Sequence, residues 1–319
     1  MKNFRKKPLR KASSKAQSAM EYLMTYGWAI LIISVVLAAL FQLGVFNPMT
    51  FAPKAPPGSC QVFRPNGPGT TSFINLEGVC SGELPQYVGS FQGTYVQLPN
   101  AMPQIAYNYP FTISAWIDRG IIPANFIDNI FGNAIDNGVT NGKGLQFFTD
   151  DYNTNDGALG VVVGANGMIQ QIDAAGVTVP LYSFHYVALV YNGAGNFIFY
   201  FDGVQYSGGS TTLQFSPTNN DGGANVLYAA IGARSGSDAW GAFYGMIANV
   251  QVYNTSLSAN EIQALYLEGI GGAPIRLQNL VGWWPLNGNA NDYSGNDNNG
   301  QISGNVNFVS NWYSGYTPP

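Results

Sequence analysis

The sequence predicts an all-β protein, a jelly-roll sandwich that follows one N-terminal apolar helix. Short runs of alternating apolar residues recur along the chain with Gly-, Asn- and Asp-rich turns between them, which is typical of sandwiches and jelly rolls. Charged residues make up only 9% of the 319 residues, whereas Gly alone occurs 39 times, and such a composition favours turn-rich β-structure. A single long uncharged apolar run, residues 23–46, precedes all of these segments.

The apolar run predicts a transmembrane helix. A helix over its 24 residues would reach about 36 Å, enough to cross a hydrocarbon core of about 30 Å. Residues 1–16 hold seven of the thirteen basic residues and no acidic residue. Because positive charge stays on the cytoplasmic side, we expect a cell-membrane protein with an extracellular C-terminal domain, or an extracellular pilus. The rest of the chain holds 6 basic and 17 acidic residues, a balance that disfavours nucleic-acid binding.

The residues just before this run carry a first resemblance. The sequence KAQSAMEY at 15–22 resembles the class III signal peptide of archaeal type IV pilin-like precursors, although Gly is commoner than Ala at the position of Ala16. The resemblance implies that a prepilin peptidase-like enzyme cuts between Ala16 and Gln17 and leaves the helix on the mature protein. It also implies self-assembly into a filament, with Glu21 paired to the amine of Gln17 on a neighbouring subunit. A plain signal anchor is the alternative.

The chain therefore divides into four segments. We expect a basic leader at 1–16, a hydrophobic pilin-like helix at 17–46, a stalk with four prolines at 47–59 and an ectodomain at 60–319, since proline favours extended chain. Cys60 and Cys80 are the only cysteines and both follow the helix. In a non-reducing compartment they would pair, and the closed loop would stabilise the fold by roughly 3 kcal/mol.

Apolar alternation and turn residues locate the ectodomain strands. Asp202-Gly203 separates two of these runs and predicts a two-residue hairpin. Ser258 followed by Glu261 predicts a capping box, and the apolar stripe after it predicts a short helix that ends near Gly269. Strands are predicted at 91–98, 111–117, 185–191, 196–201, 227–232 and 245–253.

These elements carry a second resemblance, from about residue 87 to 268. FTISAWI, FHYVALVYNGAGNFIFYFDGVQ and GAFYGMIANVQVYNTSLSANEIQALY resemble LamG-like, concanavalin A-like jelly rolls. One segment departs from that order. Residues 280–302 look like the family's opening strand and loop, but they follow the rest of the domain instead of preceding it. We therefore predict a circularly permuted sandwich that this segment completes. A truncated second domain is the alternative, but it would leave apolar strand around Trp283 and Trp284 unpaired.

The sequence does not predict an enzyme. Glycoside hydrolases need two closely placed carboxylates, but no two acids alternate on one face of a predicted strand, and Asp118 is interpreted as a loop residue. His185 lies in an apolar strand, so we expect it to be packed and hydrogen-bonded rather than catalytic. No serine nucleophile elbow is found. The glutamates after Glu21 are only Glu77, Glu83, Glu261 and Glu268.

Polar residues near the C-terminus suit a calcium ion. Asn287, Asn289, Asp292 and Asp297 offer the hard oxygen ligands that Ca²⁺ takes, and resemblance to LamG-like domains implies that such a site is common. The alternative, which we favour, is a series of tight turns; no cofactor is certain. Separately, Asn254 begins an Asn-Thr-Ser triplet that predicts a glycosylation acceptor.

A Gly- and Ser-rich loop predicts a ligand-binding rim. Arg234, Asp238, Trp240 and Tyr244 lie in one loop with many turn residues, so Trp240 is expected at an exposed tip. Exposed rings suit sugar faces. Trp312 and Tyr313 also lie beside turns, whereas Trp116 and Tyr191 are assigned to the core.

Three functions remain open. We favour a cell-surface, membrane-anchored or pilus-like protein that displays a LamG-like binding domain for glycan or surface-protein adhesion. A purely structural filament subunit and an anchored glycan hydrolase are the alternatives.

Overall fold

The computed structural model describes residues 14–42, 84–121, 127–134, 143–149, 156–217, 228–236 and 241–319, with the side chains of the first segment limited to 24–38. The chain divides into two units, Met1–Pro56 and Pro57–Pro319, and each is treated by itself. The stalk, Cys60 and Cys80 lie outside the described residues, so the predicted disulfide stays a prediction.

The N-terminal unit contains helix α1, Ser14–Gln42. It begins three residues before the predicted helix start, Gln17, and ends four residues before residue 46. Its large apolar side chains, such as Met24 and Trp28, are more than half exposed. Among the described residues, no helix combines the length and the apolar character of a membrane span.

Two antiparallel sheets form the second unit. The strands of the eight-stranded sheet are β1 Val88–Gln92, β3 Phe111–Arg119, β8 Phe184–Tyr191, β9 Asn196–Phe201, β10 Val204–Ser210, β12 Tyr244–Tyr253, β13 Leu280–Trp284 and β15 Asn307–Val309. They lie in the order β10-β9-β8-β3-β12-β1-β15, with β13 also beside β12. The strands of the seven-stranded sheet are β2 Tyr95–Gln97, β4 Asp128–Gly132, β5 Gly144–Thr149, β6 Ala158–Ala165, β7 Met168–Thr178, β11 Ala230–Ile231 and β14 Gln301–Ser303. They lie in the order β14-β2-β11-β4-β5-β6-β7. The predicted all-β jelly-roll sandwich is confirmed.

Two strand predictions need correction. Residues 91–98 do not form one strand, because Gly93 has a positive φ of 73° and separates β1 from β2, which join different sheets. Only glycine adopts this conformation without a steric penalty. Of the strand predicted at 227–232, only Ala230–Ile231 pairs as a strand.

The main core lies between the sheets. Phe111, Ile113, Ala115 and Ile117 of β3, predicted to share one face, are all fully buried there. Because side chains alternate along a strand, Trp116 points to the other side of the sheet. It joins a second apolar cluster on the outer face of the eight-stranded sheet. Each fully buried aliphatic or aromatic side chain of this kind contributes about 1.5–3 kcal/mol relative to an exposed one.

Helix α2, Ala259–Leu267, covers part of that outer face. The Ser258 backbone N–H donates to Oε2 of Glu261 at 2.8 Å, as the predicted capping box requires. Ile262 and Leu265 are buried against the second cluster. Gly269, with a positive φ, follows the end of the helix as predicted.

The C-terminal segment is built into both sheets. β13 pairs with the second half of β12, Val250 opposite Trp284, while β1 pairs with the first half of the same strand. β14 borders β2 and β15 borders β1. Trp284 is fully buried in the main core, and its Nε1–H donates to the Asn298 carbonyl at 2.9 Å. The segment therefore completes the sandwich, and the truncated second domain is excluded.

Candidate functional site

A cavity of about 720 Å³ opens on the outer face of the eight-stranded sheet. Its floor consists of side chains that alternate outward from β1, β3 and β12. Its walls come from β15, the chain before β8 and the C-terminal tail. The residues that line it are Ser90, Gln92, Asp118, Gly120, Ile121, Tyr182, Tyr244, Gly245, Met246, Phe308, Val309, Ser310 and Asn311.

Asp118 is the acidic side chain of this lining. It lies inside β3, opposite Met246 of β12 and Phe184 of β8, so its interpretation as a loop residue is wrong. The residue is 6% exposed, and burial raises the pKa of its carboxyl group to about 6, while the charge of His185 partly opposes that shift. Asp118 lies two residues after Trp116, so the two side chains share the outer face of β3. This spacing was the one signal in the sequence that could have placed Asp118 on that face.

Two tyrosines frame the cavity, and backbone hydrogen bonds hold their positions. Tyr182 is 64% exposed with a φ of 59°, and its N–H donates to the Arg119 carbonyl at 2.9 Å. The Tyr244 N–H donates to Oδ1 of Asp128 at 2.7 Å, and its carbonyl accepts from the Gly120 N–H at 2.7 Å. Both rings can offer an apolar face with a polar edge to a ligand. The sequence did not identify Tyr182.

The predicted ligand rim is only partly brought together. Tyr244 lines the cavity, whereas Asp238 and Trp240 lie outside the described residues. Arg234 is only 7% exposed, and its carbonyl accepts from the Ala134 N–H at 2.9 Å. Arg234 does not line the cavity, and its polar contact with a ligand stays a prediction.

Of Trp312 and Tyr313, which both lie beside turns, only Tyr313 is exposed. Trp312 is buried in the second apolar cluster, with its ring 5.5 Å from that of Phe184, while Tyr313 remains exposed. Trp116 and Tyr191 are buried as predicted. Trp312 is therefore a packing residue rather than a ligand contact.

His185 joins a hydrogen-bonded chain of three side chains. Its Nδ1 lies 2.7 Å from Oδ2 of Asp202, and its Nε2 lies 2.9 Å from Oγ of Ser183. Because a carboxylate only accepts, Nδ1 donates to Asp202. The ring also stacks on Phe201 at 4.8 Å. The prediction of a packed, hydrogen-bonded histidine is confirmed.

The same chain secures the predicted Asp202-Gly203 hairpin. Both residues have positive φ values, 48° and 74°, as a type I′ turn requires. Oδ1 of Asp202 also accepts the Tyr186 N–H at 2.9 Å. This carboxylate therefore ties the turn between β9 and β10 to β8.

The polar residues proposed for calcium serve as hydrogen-bond acceptors in turns. Asp292 is fully buried; its Oδ1 accepts the N–H groups of Trp283 and Ser294 at 2.9 and 2.8 Å, and its Oδ2 accepts that of Asn298 at 2.9 Å. Four hydrogen bonds in all reach its carboxylate once the Ser294 hydroxyl is included. This arrangement matches the turn series that the sequence favoured.

The other candidate ligands are engaged in a similar way. Oδ1 of Asn287 accepts the Tyr87 N–H at 2.9 Å, and Oδ1 of Asn289 accepts the Asn291 N–H at 3.0 Å, while Asp297 is exposed. Where side chains are described, no cluster of three or more His, Cys, Asp or Glu residues is placed to hold a metal. Calcium binding through these oxygens stays a prediction.

The remaining predicted sites are placed but not tested. Asn254 is exposed just after β12, and its Oδ1 accepts from Nδ2 of Asn279 at 3.0 Å; its glycosylation stays a prediction. Ala16, Gln17 and Glu21 lie within helix α1, in the part where side chains are not described. Cleavage and subunit pairing there stay predictions.

Comparison with known proteins agrees with the fold. A laminin G-type sequence profile of the concanavalin A-like lectin/glucanases superfamily matches residues 89–263, more than half of the chain. The chain belongs to the concanavalin A-like lectin/glucanases superfamily. The LamG-like resemblance is thereby confirmed. The match begins after the apolar run, so the resemblance to pilin-like precursors stays a prediction. No curated protein sequence matches this chain.

Solved structures share the sandwich at low sequence identity. A candidate carbohydrate-binding protein from Bacteroides ovatus is 18% identical with a TM-score of 0.52, over 71% of this chain and 60% of that one; this chain thus spans about three fifths of its length. A heptameric pentraxin from Limulus polyphemus is 14% identical with a TM-score of 0.46, over 72% and 98%. The CBM40 of a Ruminococcus gnavus sialidase is 16% identical with a TM-score of 0.42, over 56% and 96%. The similarity to the Bacteroides ovatus protein shows the fold alone.

Proposed function

We propose that this protein binds glycans in the cavity on the outer face of its eight-stranded sheet and displays that site at the cell surface. The observation that carries the proposal is the composition of the cavity, which combines two tyrosine rings with a carboxylate, two amides and hydroxyl groups. A sugar ring has apolar faces and a hydroxylated edge, so it needs both kinds of contact. A concave site with a few convergent polar groups is the usual form of a small-ligand site.

The superfamily and the Bacteroides ovatus structure support glycans as the ligand class. That protein is described as carbohydrate-binding, and its sandwich is the same type of fold. Fold similarity by itself does not establish function, so the argument rests on the cavity. Surface display is supported by the basic leader and the apolar run that follows it. Anchoring in the membrane, processing by a prepilin peptidase-like enzyme and filament assembly belong to this proposal.

A glycan array probed with the full-length chain tests the proposal. Hits are then titrated with Tyr182→Ala and Tyr244→Ala, and we expect each variant to bind about tenfold more weakly, a change equivalent to about 1.4 kcal/mol. Tyr109→Ala is the matched control, because the side chain of Tyr109 is exposed to nearly the same extent as that of Tyr182 and does not line the cavity. If both cavity variants bind as tightly as the parent, the cavity is not the site. If the array stays empty while the chain is found in filaments, the structural-subunit alternative is favoured.

Hydrolysis is the second candidate, and one observation favours it. The chain Ser183–His185–Asp202 places a hydroxyl, an imidazole and a carboxylate in the order used by serine hydrolases. Hydrolysis of p-nitrophenyl acetate, compared between the parent and Ser183→Ala, tests this directly. A rate above buffer that is lost in Ser183→Ala would support catalysis. Equal rates for parent, variant and buffer would exclude this catalytic role and leave binding as the function.

A further inference from the structure

The cavity is electrostatically one-sided. Of its thirteen lining residues, all within the described part of the chain, Asp118 alone carries a formal charge, and none is Lys, Arg or His. The remaining polar groups are neutral: the hydroxyls of Ser90 and Ser310, the amides of Gln92 and Asn311, and the two tyrosines. A ligand in this cavity therefore meets a carboxylate with no cation beside it in the lining.

The nearest cationic side chains are engaged elsewhere. Arg119 follows Asp118 along β3 and so points to the other side of the sheet; it is buried, and its Nε donates to the Val179 carbonyl at 3.0 Å. His185 of β8 donates to the Asp202 carboxylate. Neither residue lines the cavity, so neither makes a direct contact with an anionic ligand there.

The other residues that line the cavity around Asp118 are neither acidic nor basic. Tyr182 and Tyr244 contribute phenols, β1 contributes Ser90 and Gln92, and the tail approaches through Gly315, where an added Cβ would lie 3.1 Å from Oδ2 of Asp118. The tail and the sheet together shield this carboxylate from bulk water. Charge interactions are stronger in such a setting than in water.

We propose that the cavity selects neutral sugars and amino sugars and excludes glycans that carry carboxylates, such as uronic and sialic acids; this inference rests on the proposed function. A neutral sugar can donate two hydroxyl hydrogen bonds to the carboxylate oxygens of Asp118. An ammonium group of an amino sugar makes a stronger, charge-assisted hydrogen bond with the same atoms. A second carboxylate would be repelled, and such repulsion is an effective basis of specificity.

The test uses the full-length chain at pH 7 on an array of chitin oligomers, chitosan oligomers, galactans, polygalacturonate and sialylated oligosaccharides. We expect binding to neutral and amino sugars, with carboxylated glycans at least tenfold weaker than their uncharged counterparts. Asp118→Asn should narrow that difference at least threefold and weaken binding of chitosan oligomers. Asp173→Asn is the matched control, because it removes an equal charge from exposed β7 of the other sheet.

The outcomes separate the inference from the proposed function. Carboxylated glycans bound as tightly as neutral ones, or a discrimination unchanged by Asp118→Asn, would overturn the inference while glycan binding stands. An array without any bound glycan would overturn both. Circular dichroism and a cooperative denaturant transition establish that Asp118→Asn is folded.

Discussion

Replacing Asp118 by Asn measures the free energy that burial of this carboxylate costs. Burial raises its pKa from 3.8 to about 6 in the folded protein. Between these two values the folded chain holds a proton that the unfolded chain has released. The contribution of Asp118 to stability is therefore fully present below pH 3.8 and is lost as the pH rises through about 6. At 1.36 kcal/mol per pKa unit, the shift corresponds to at most about 3 kcal/mol of lost stability at pH 8.

Asparagine has nearly the same shape and does not ionise, so Asp118→Asn removes this pH dependence. Because Asp118 keeps a small exposed fraction, solvent screens part of the full shift. We therefore expect the stability of the variant relative to the parent to rise by about 1–3 kcal/mol between pH 4 and pH 8. Denaturant unfolding of both proteins at the two pH values gives the difference directly. Asp173→Asn, on the exposed face of β7, should change far less. A free-energy difference between variant and parent that is the same at pH 4 and pH 8 would refute the reasoning.

Three further predictions address the C-terminal segment, calcium and processing. Trp284→Ala should lower the free energy of unfolding by about 3–5 kcal/mol, and deletion of residues 278–319 should abolish cooperative unfolding; a soluble, cooperatively folded truncation would contradict the pairing of β13 with β12. Adding calcium should leave the melting temperature unchanged, because the oxygens of Asp292 accept backbone N–H groups; a rise that Asp297→Asn removes would instead establish a calcium site. N-terminal sequencing should find Gln17, and a start at Met1 or after residue 46 would contradict cleavage by a prepilin peptidase-like enzyme.

Local pattern was sufficient for β3, β8, β9 and β12 of the eight-stranded sheet, whereas it predicted no strand between residues 118 and 184, where β4 to β7 lie. Alternation placed Phe111, Ile113, Ala115 and Ile117 on the buried face of β3, and Asp202-Gly203 gave the hairpin turn because two positive φ values need such residues. The pair Ser258 and Glu261 gave the start of α2 for a similar reason. In each case the physical cause lies within a few residues of chain.

Residues at the ends of strands were less predictable. Asp118 reads as a loop residue because Arg119 and Gly120 follow it, yet cross-strand pairing with β8 and β12 extends β3 to include it. Arg234 and Trp312 both lie beside turn residues in the sequence, and both are buried. Turn residues indicate where the chain bends, but burial depends on what other segments cover the bend.

By itself, the sequence determined the class of fold, the faces of the main strands, the hairpin, the short helix and the need of Trp283 and Trp284 for strand partners. Each follows from periodicity, turn chemistry or the cost of exposing apolar strand, which are properties of neighbouring residues. Only the tertiary structure decided that β13 pairs with β12 and that the Asp292 carboxylate is a hydrogen-bond acceptor buried in turns. It also decided that Asp118, Tyr182 and Tyr244 line one cavity. Those residues lie far apart along the chain, and only the pairing of distant strands brings them together.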